Sequence, residues 1–354
     1  MRSFTVDADD ADIRLDRWFK RHLPEVSFNT VSRWSRTGEV RLDGRKTEPG
    51  ERLAAGQTIT VPPAEAALAP AAGETPRRPL SAAEVEYAQS LVIHRDKAAI
   101  VLNKPPGLAT QGGTGTTTHV DGLLDGLCFG FPGRPKLVHR LDKDTSGVLL
   151  LARTARAAAF FSKAFSGRTA RKAYWALVVG RPEPDAGEID AALAKQPGSG
   201  GEKMHVDPAT GQKAVTRYRV LDHAADRAAW VEFQPLTGRT HQIRVHAAAI
   251  GHPIVGDAKY GGRDAFLTGG ISRKMHLHAR RLVIEHPDSG MLDIAADLPP
   301  HMAESFAMLG FDPADGDVPF DDAPDLAAEA RAVAAAAKAR RKAHRGERRN
   351  RGRG

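Results

Sequence analysis

Between Gly147 and Arg153 the chain reads Val148-Leu149-Leu150-Leu151-Ala152, apolar at every position and too short for a helix buried on all sides. A run of this length, bounded by a glycine and a charge, reads as a strand buried in a sheet. The residues before it are of the opposite kind: His139-Arg140-Leu141-Asp142-Lys143-Asp144. Asp142 therefore lies on a loop entering a rigid strand, where a scaffold can hold a carboxylate in a fixed position against a substrate. The competing reading is an exposed turn with a local ion pair, and composition alone favours it, because charged turns are common and perturbed carboxylates few.

The 354 residues leave room for two domains or one large one, and 41% apolar content is enough to bury a core. The net charge of +8 is local: from Lys338 to Gly354 nine Lys or Arg stand against Glu347 alone, and the rest of the chain is neutral. A basic tail on a neutral body suits a polyanionic partner reached by a flexible arm. Cys128 is the only cysteine, which excludes an intramolecular disulfide and a cysteine metal cluster and fits a reducing compartment. The start carries acids where a signal peptide needs an apolar run, and no stretch approaches a membrane span, so a cytoplasmic, soluble protein is expected.

Residues 1–62 read as a small unit. Ile13-Arg14-Leu15-Asp16-x-Trp18-Phe19 has helical spacing, Ser27 caps a second helix through Arg36, and Gly38 stops it. A strand and tight turn at Val40–Arg45 and a closing strand at Gly56–Val61 follow. Residues 63–82, rich in Pro and Ala without sustained period, read as a linker. A larger domain, 83–310, opens with a strand at Ala98–Leu102. The loop with Gly112, Gly113 and Gly115 lacks the Gly-Lys-Ser/Thr step of a triphosphate site. Thr154 caps a helix with Ala158, Phe161, Ala164 and Phe165 inward and Gly167 at its end; 229–234 is a strand; Arg239–Ile250 reads as a helix carrying Arg244. His241 and His246 lie five apart and His276 and His278 two apart, which do not give the four-residue helical step of paired ligands, so no metal site is expected. Residues 311–354 turn acidic, then Ala- and Arg-rich; 324–343 favour a transient helix, with disorder after Gly346.

His139-Arg140-Leu141-Asp142-x-x-Thr145-Ser146-Gly147 resembles the signature of the pseudouridine synthases that modify large-subunit ribosomal RNA. Three more segments resemble that family in the same order: Asn103-Lys104-Pro105-Pro106-Gly107, Ala173-Tyr174-Trp175-Ala176-Leu177-Val178, and Thr237-Gly238-Arg239-Thr240-His241-Gln242-Ile243-Arg244-Val245-His246. With Gly251-His252-Pro253-Ile254-x-Gly256-Asp257 the similarity spans about residues 85 to 300. The subtype most resembled modifies several sites in 23S ribosomal RNA, the partner this implies; a subtype acting on another ribosomal RNA helix and a tRNA-modifying one come next.

The resemblance implies an α+β fold: a large mixed, mainly antiparallel sheet flanked by helices, with a cleft across its middle. It implies that Asp142 acts at the sugar, as a nucleophile on C1′ or a base at C2′, that Arg244 pairs with Asp142, and that Tyr174 stacks on or hydrogen-bonds the flipped base and helps remove its C5 proton. Arg140 would enter the space the base leaves, and Asn103, Lys104, His139, Arg239 and His241 would face the RNA. The small unit is similar to the S4 RNA-binding domain, although Phe28-Asn29-Thr30 stands where that pattern commonly has a base; Arg14, Arg17, Arg33 and Arg36 then supply its basic face. The isomerisation changes no oxidation state and calls for no cofactor. No protein partner is indicated and a monomer is expected. The competing classes are a non-catalytic RNA-binding assembly factor and, less well supported for want of a second carboxylate, a glycosidase.

Overall fold

The computed structural model describes residues 1–63, 78–112, 118–196, 203–288 and 290–316. The chain divides into one unit, Met1–Pro79, and a second beginning at Leu80. No helix among the described residues is long and apolar enough to cross a membrane.

The first unit contains β1 (Arg2–Thr5), α1 (Leu15–His22), α2 (Phe28–Thr37), β2 (Arg41–Leu42), β3 (Arg45–Lys46) and β4 (Thr58–Val61). Its antiparallel sheet has the order β1-β4-β2-β3. Leu15, Trp18, Phe19, Val31, Trp34 and Ile59 pack into one core. Ser27 Oγ accepts the Thr30 amide at 3.2 Å, and Gly38 ends α2 with φ of 77°, the cap and stop expected from sequence. The first helix starts later than its spacing suggests: Arg14 is extended, and its guanidinium turns onto Asp16 at 3.0 Å.

The second unit holds α3 (Ala82–Ser90), β5 (Val92–Arg95), β6 (Ala99–Lys104), α4 (Val120–Leu123), β7 (Lys136–Leu137), β8 (Ser146–Ala152), α5 (Ala155–Gly167), β9 (Arg171–Val179) and β10 (Ala186–Asp190). Then follow β11 (Leu193–Lys195), β12 (Met204–Val206), β13 (Val215–Ala224), β14 (Ala228–Pro235), α6 (Gln242–Ala249), α7 (Ala258–Gly261), β15 (Leu277–Glu285), β16 (Met291–Ala295) and α8 (Pro300–Leu309). The main sheet runs β10-β13-β14-β9-β15-β8-β6-β5, with β16 beside β15 and β7 beside β8. Every pairing in it is antiparallel except β8 with β15. The architecture is α+β, as the sequence implies.

The apolar run of β8 is explained by cover on both faces. Val148, Leu150 and Ala152 pack with Val101 against Phe161 of α5, while Leu149 and Leu151 pack with Ile100 and Leu102 against Leu123 and Leu127. On β9, Trp175 and Leu177 face Trp230 and Phe306, and Ala176 and Val178 face Ile243 and Ala247 of α6. Tyr174 projects with this second set.

Three boundaries differ from the sequence reading. Residues 64–77 of the expected linker lie outside the described residues, but its last residues belong to the second unit: Ser81 and Glu84 form a reciprocal capping box on α3. Arg168, with φ of 63°, takes the left-handed position after α5 in place of Gly167, which is its last helical residue. The unit also continues past residue 310, since Phe311 is buried among Trp230 and Phe306, and Gly316 lies too close to Trp230 to carry a side chain. Residues 113–117 of the glycine-rich loop, and the acidic and basic segments from 317, lie outside the described residues.

Candidate active site

Asp142 sits in the loop between β7 and β8, and the backbone on either side of it is held. Thr110 Oγ1 donates to the Leu141 carbonyl at 2.7 Å and accepts the Leu141 amide at 3.1 Å. The Lys143 carbonyl accepts from the Gly107 amide at 2.9 Å and from Lys104 Nζ at 3.1 Å. Lys104 Nζ also donates to the carbonyls of Leu108 and Pro105. Thus the segment after β6 clamps both neighbours of Asp142, while its side chain remains 21% exposed.

Arg244 reaches the same point from α6. Its Nε and Nη2 form a fork on the two oxygens of Asp257, at 2.7 and 2.8 Å. Its Nη1 is left facing Asp142 Oδ2 at 3.5 Å, an ion pair rather than a hydrogen bond. The expected Arg244–Asp142 partnership is therefore secondary, and the fork belongs to Asp257. Burial works against the guanidinium charge, but the Asp257 bonds and the charges of Asp257 and Asp142 outweigh it and hold Arg244 above its ordinary value. Both members of the fork are buried, Arg244 at 7% and Asp257 at 2% exposure.

The helix begins at Gln242, three residues after its expected start, because Gln242 organises the turn before it. Its Oε1 accepts from Thr237 Oγ1 at 2.7 Å and from the Arg239 amide at 3.0 Å, and its Nε2 donates to the Val215 carbonyl and Thr216 Oγ1. This leaves His241 in the left-handed region with φ of 54° and its Nε2 at 3.7 Å from Asp142 Oδ2. Tyr260 lies behind: its hydroxyl accepts the Met204 amide, lies 2.7 Å from His241 Nδ1, and the ring stands 5.0 Å from the Arg244 guanidinium. With Tyr260 donating to Nδ1, the imidazole proton sits on Nε2 toward Asp142. Burial depresses the His241 pKa against the raising charge of Asp142, so the ring is neutral.

Two hollows, of about 990 and 450 Å³, meet at this cluster; Arg140, Asp142, His241 and Arg244 border both. The larger is rimmed by Lys143, Lys195, Lys259, Arg273 and Lys274. The smaller contains Tyr174 and Lys172. Burial, and then the Asp142 charge, raise the Tyr174 pKa, so the phenol keeps its proton.

Of the residues expected to face RNA, Arg140 is exposed at the cluster. Lys104 is corrected: it is fully buried, and its ammonium is occupied by backbone carbonyls. Burial lowers its pKa to about 7 against the charges of Asp144 and Asp142. Asn103 spends its amide on the Asp297 carbonyl. His139 accepts the Leu150 amide at 2.8 Å and stacks on Phe165 at 4.3 Å; burial and Lys172 push its pKa to about 3, so it packs as a neutral ring. Arg239 donates to the Lys213 carbonyl and to Gln212. Arg14, Arg17 and Arg36 are exposed and Arg33 half-buried in the first unit. Sequence reasoning did not single out Thr110, Lys172, Gln242, Asp257 or Tyr260. A signal existed for Asp257, which closes the Gly251–Asp257 segment, and for Gln242, which lies within the Thr237–His246 segment. No group of three or more His, Cys, Asp or Glu among the described residues is arranged to hold a metal ion.

Comparison with known proteins bears on this geometry. A family model described as RNA pseudouridylate synthase matches residues 98–249. The ribosomal large subunit pseudouridine synthase C of Vibrio cholerae is 34% identical over 313 residues, covering 86% of this chain and 95% of that one. The protein of the same name from Yersinia pestis is 36% identical over 292 residues, covering 81% and 88%. Among solved structures, human RNA pseudouridylate synthase domain containing 4 matches with a TM-score of 0.55 and 31% identity, over 64% of this chain and 97% of that one. With a relative 34% identical over nearly its whole length and a solved structure of the same description, the chain belongs to the RNA pseudouridylate synthase family.

Proposed function

We propose that this protein isomerises uridines to pseudouridine in 23S ribosomal RNA, with Asp142 as the acting carboxylate. One observation carries the reading: Asp142 is the acid that borders both hollows, partly open, with its backbone clamped on both sides and a guanidinium already committed elsewhere set 3.5 Å behind it. The basic rim of the larger hollow supports a polyanionic substrate, and the relatives from Vibrio cholerae and Yersinia pestis bear names that place them on the large ribosomal subunit.

The reaction breaks the bond from C1′ to N1, turns the uracil, and joins C5 to C1′; the C5 proton leaves and N1 gains one, so atoms balance without a redox partner. The base is first flipped from the RNA at a cost of a few kcal/mol, and exposed Arg140 fills the space it vacates. Asp142 acts at the sugar, attacking C1′ or taking the C2′ proton, and both routes need it ionised. Arg244 Nη1 and His241 Nε2 face its Oδ2 at 3.5 and 3.7 Å. Tyr174 stacks on the flipped base or donates to it. Burial and the Asp142 charge hold its phenol protonated before substrate enters, which suits donation to the base. All these side chains come from one chain, so the reading needs no second subunit. The first unit, with exposed Arg17, Arg36 and Phe28, is read as an S4-like contact to RNA backbone, and the reaction is placed in the cytoplasm.

Asp142→Asn keeps shape and removes charge. The variant is expected to fold and bind RNA but form no pseudouridine when ribosomal RNA is treated in vitro and mapped chemically. Substantial turnover by the Asn variant would falsify the assignment, and conversion confined to tRNA would overturn the substrate while sparing the chemistry.

A further inference from the structure

Lys172 stands two residues before Tyr174 on β9, so the two side chains leave the strand on the same face, and both line the smaller hollow with Asp142. Unlike the other buried cations of the site, Lys172 makes no hydrogen bond or ion pair among the described residues. Arg244 has Asp257, and Lys104 has three carbonyls. The charged neighbours of Lys172 make its position worse. Arg168, after α5 at the left-handed turn, is the charge that acts on it; Arg140 and Arg239 also line the hollow and bring no negative charge, and His139 is neutral. The single acid of the hollow, Asp142, is already faced by Arg244 and His241. Burial and the charge of Arg168 bring the Lys172 pKa down to about 8, a sign that its ammonium lacks a counter-ion. A half-buried ammonium beside an exposed guanidinium, with no acid to answer either, is costly in the empty protein, and the cost is offset when the ligand brings the anion. Ser162, exposed on α5 and lining the same hollow, adds a hydroxyl donor, while the Ser166 hydroxyl donates to the Lys163 carbonyl.

We infer that Lys172 and Arg168 form a binding subsite for one phosphodiester of the RNA, adjacent to the nucleotide whose base lies against Tyr174. The subsite fixes the backbone on the side of the cleft opposite the basic rim of the larger hollow, so the flipped nucleotide is held from both flanks while Asp142 reaches its sugar. This inference rests on the proposed reading of the site.

The test uses the full-length protein and an RNA fragment in which the wild type forms pseudouridine, under single-turnover conditions. Lys172→Ala is expected to raise the half-saturating RNA concentration roughly tenfold, with the larger part of the loss there rather than in the rate at saturation. It should also reduce the slope of log affinity against log salt by about 0.7, and Lys172→Arg should restore both. Between pH 7 and 9.5 the wild type should lose affinity as Lys172 deprotonates, and the Arg variant should not. Methylphosphonate replacement of each phosphate flanking the target uridine needs no change in the protein. One position should weaken the wild type tenfold and leave Lys172→Ala unaffected. If no single methylphosphonate matters, or if Lys172→Ala retains wild-type affinity and salt slope, the subsite does not exist. A loss confined to the saturated rate would likewise overturn it in favour of a role at the base. Should the wild type form no pseudouridine in any large-subunit RNA, the reading of the site fails, and equilibrium binding of the same fragments to wild type and Lys172→Ala, which needs no turnover, decides the subsite by the same affinity and salt-slope criteria.

Discussion

Asp257→Asn isolates the contact on which the aim of Arg244 depends. In the native protein Arg244 gives two charge-assisted bonds to Asp257, at 2.7 and 2.8 Å, and both side chains are almost fully buried. Removing one partner of such a pair strands the other, which costs about 3–5 kcal/mol. Asparagine retains one acceptor oxygen and turns its amide against the second N–H, so about half of that, roughly 2 kcal/mol, is the expected loss. The released guanidinium has a second carboxylate within reach, since Asp142 Oδ2 is only 3.5 Å from Nη1. It should close on Asp142 as a direct hydrogen-bonded pair, hold the acting oxygen away from the sugar, and lower the saturated rate of pseudouridine formation by roughly two orders of magnitude, about 2.7 kcal/mol in the barrier. The first unit has Trp18 and Trp34 and the second Trp175 and Trp230, so fluorescence mixes the two. Hydrogen exchange of peptides from β9 and β14 during denaturant unfolding reports the second unit alone. A variant whose exchange midpoint and turnover both match the wild type would refute the argument that Asp257 positions Arg244.

Three further outcomes follow from other contacts. Lys104 has a folded pKa of about 7 against an ordinary 10.5, so the unfolded chain binds more protons between those values and stability should rise with pH from 7 toward 10; Lys172, depressed to about 8, adds the same sign over a narrower window. Lys104→Met should flatten the rise and leave the Lys143 carbonyl short of a donor, which chemical denaturation at pH 7 and 9 measures. Gly147→Ala should destabilise the second unit by about 2–4 kcal/mol, because Gly147 has φ of 106° and a methyl there would strike the Ala279 backbone; a thermal melt unchanged from wild type would remove the claim. Truncation after Ala337 removes nine Lys and Arg and should weaken RNA binding and flatten its salt dependence without lowering turnover at saturation, as a salt series on both proteins would report.

The strand through Val148–Leu151 was legible because cover on both faces leaves one chemical option, and the caps at Ser27 and Thr154 because they are local hydrogen bonds written within three residues. Arg244 could be placed on a packed helix for the same reason. What could not be read were pairings fixed only by the fold. Asp257 meets an arginine thirteen positions earlier through a loop whose path has no sequence period, and Lys104 reads as a surface charge although it is a three-way donor to backbone. The start of α6 moved from Arg239 to Gln242 because a buried amide side chain satisfied four partners there, overriding local propensity. Arg168 occupies a left-handed position that composition assigns to glycine.

In a sheet otherwise antiparallel, β8 and β15 run side by side in the same direction, so the segments leading into both strands arrive at one end. The segment before β8 carries Asp142. The one before β15 lies against the loop that carries Asp257, where His276 donates to the Val255 carbonyl and Gly256 nearly touches the backbone at Lys274. At both seams, Gly147 on Ala279 and Gly256 on Lys274, main chain rests on main chain with no side chain between. The separation of the loop that carries Asp142 from the loop that carries Asp257 is therefore gauged by bare backbone thickness, which no side chain at either seam adjusts. A side chain at either glycine would strike backbone and drive those two loops apart, and with them the carboxylate and the anchor of Arg244.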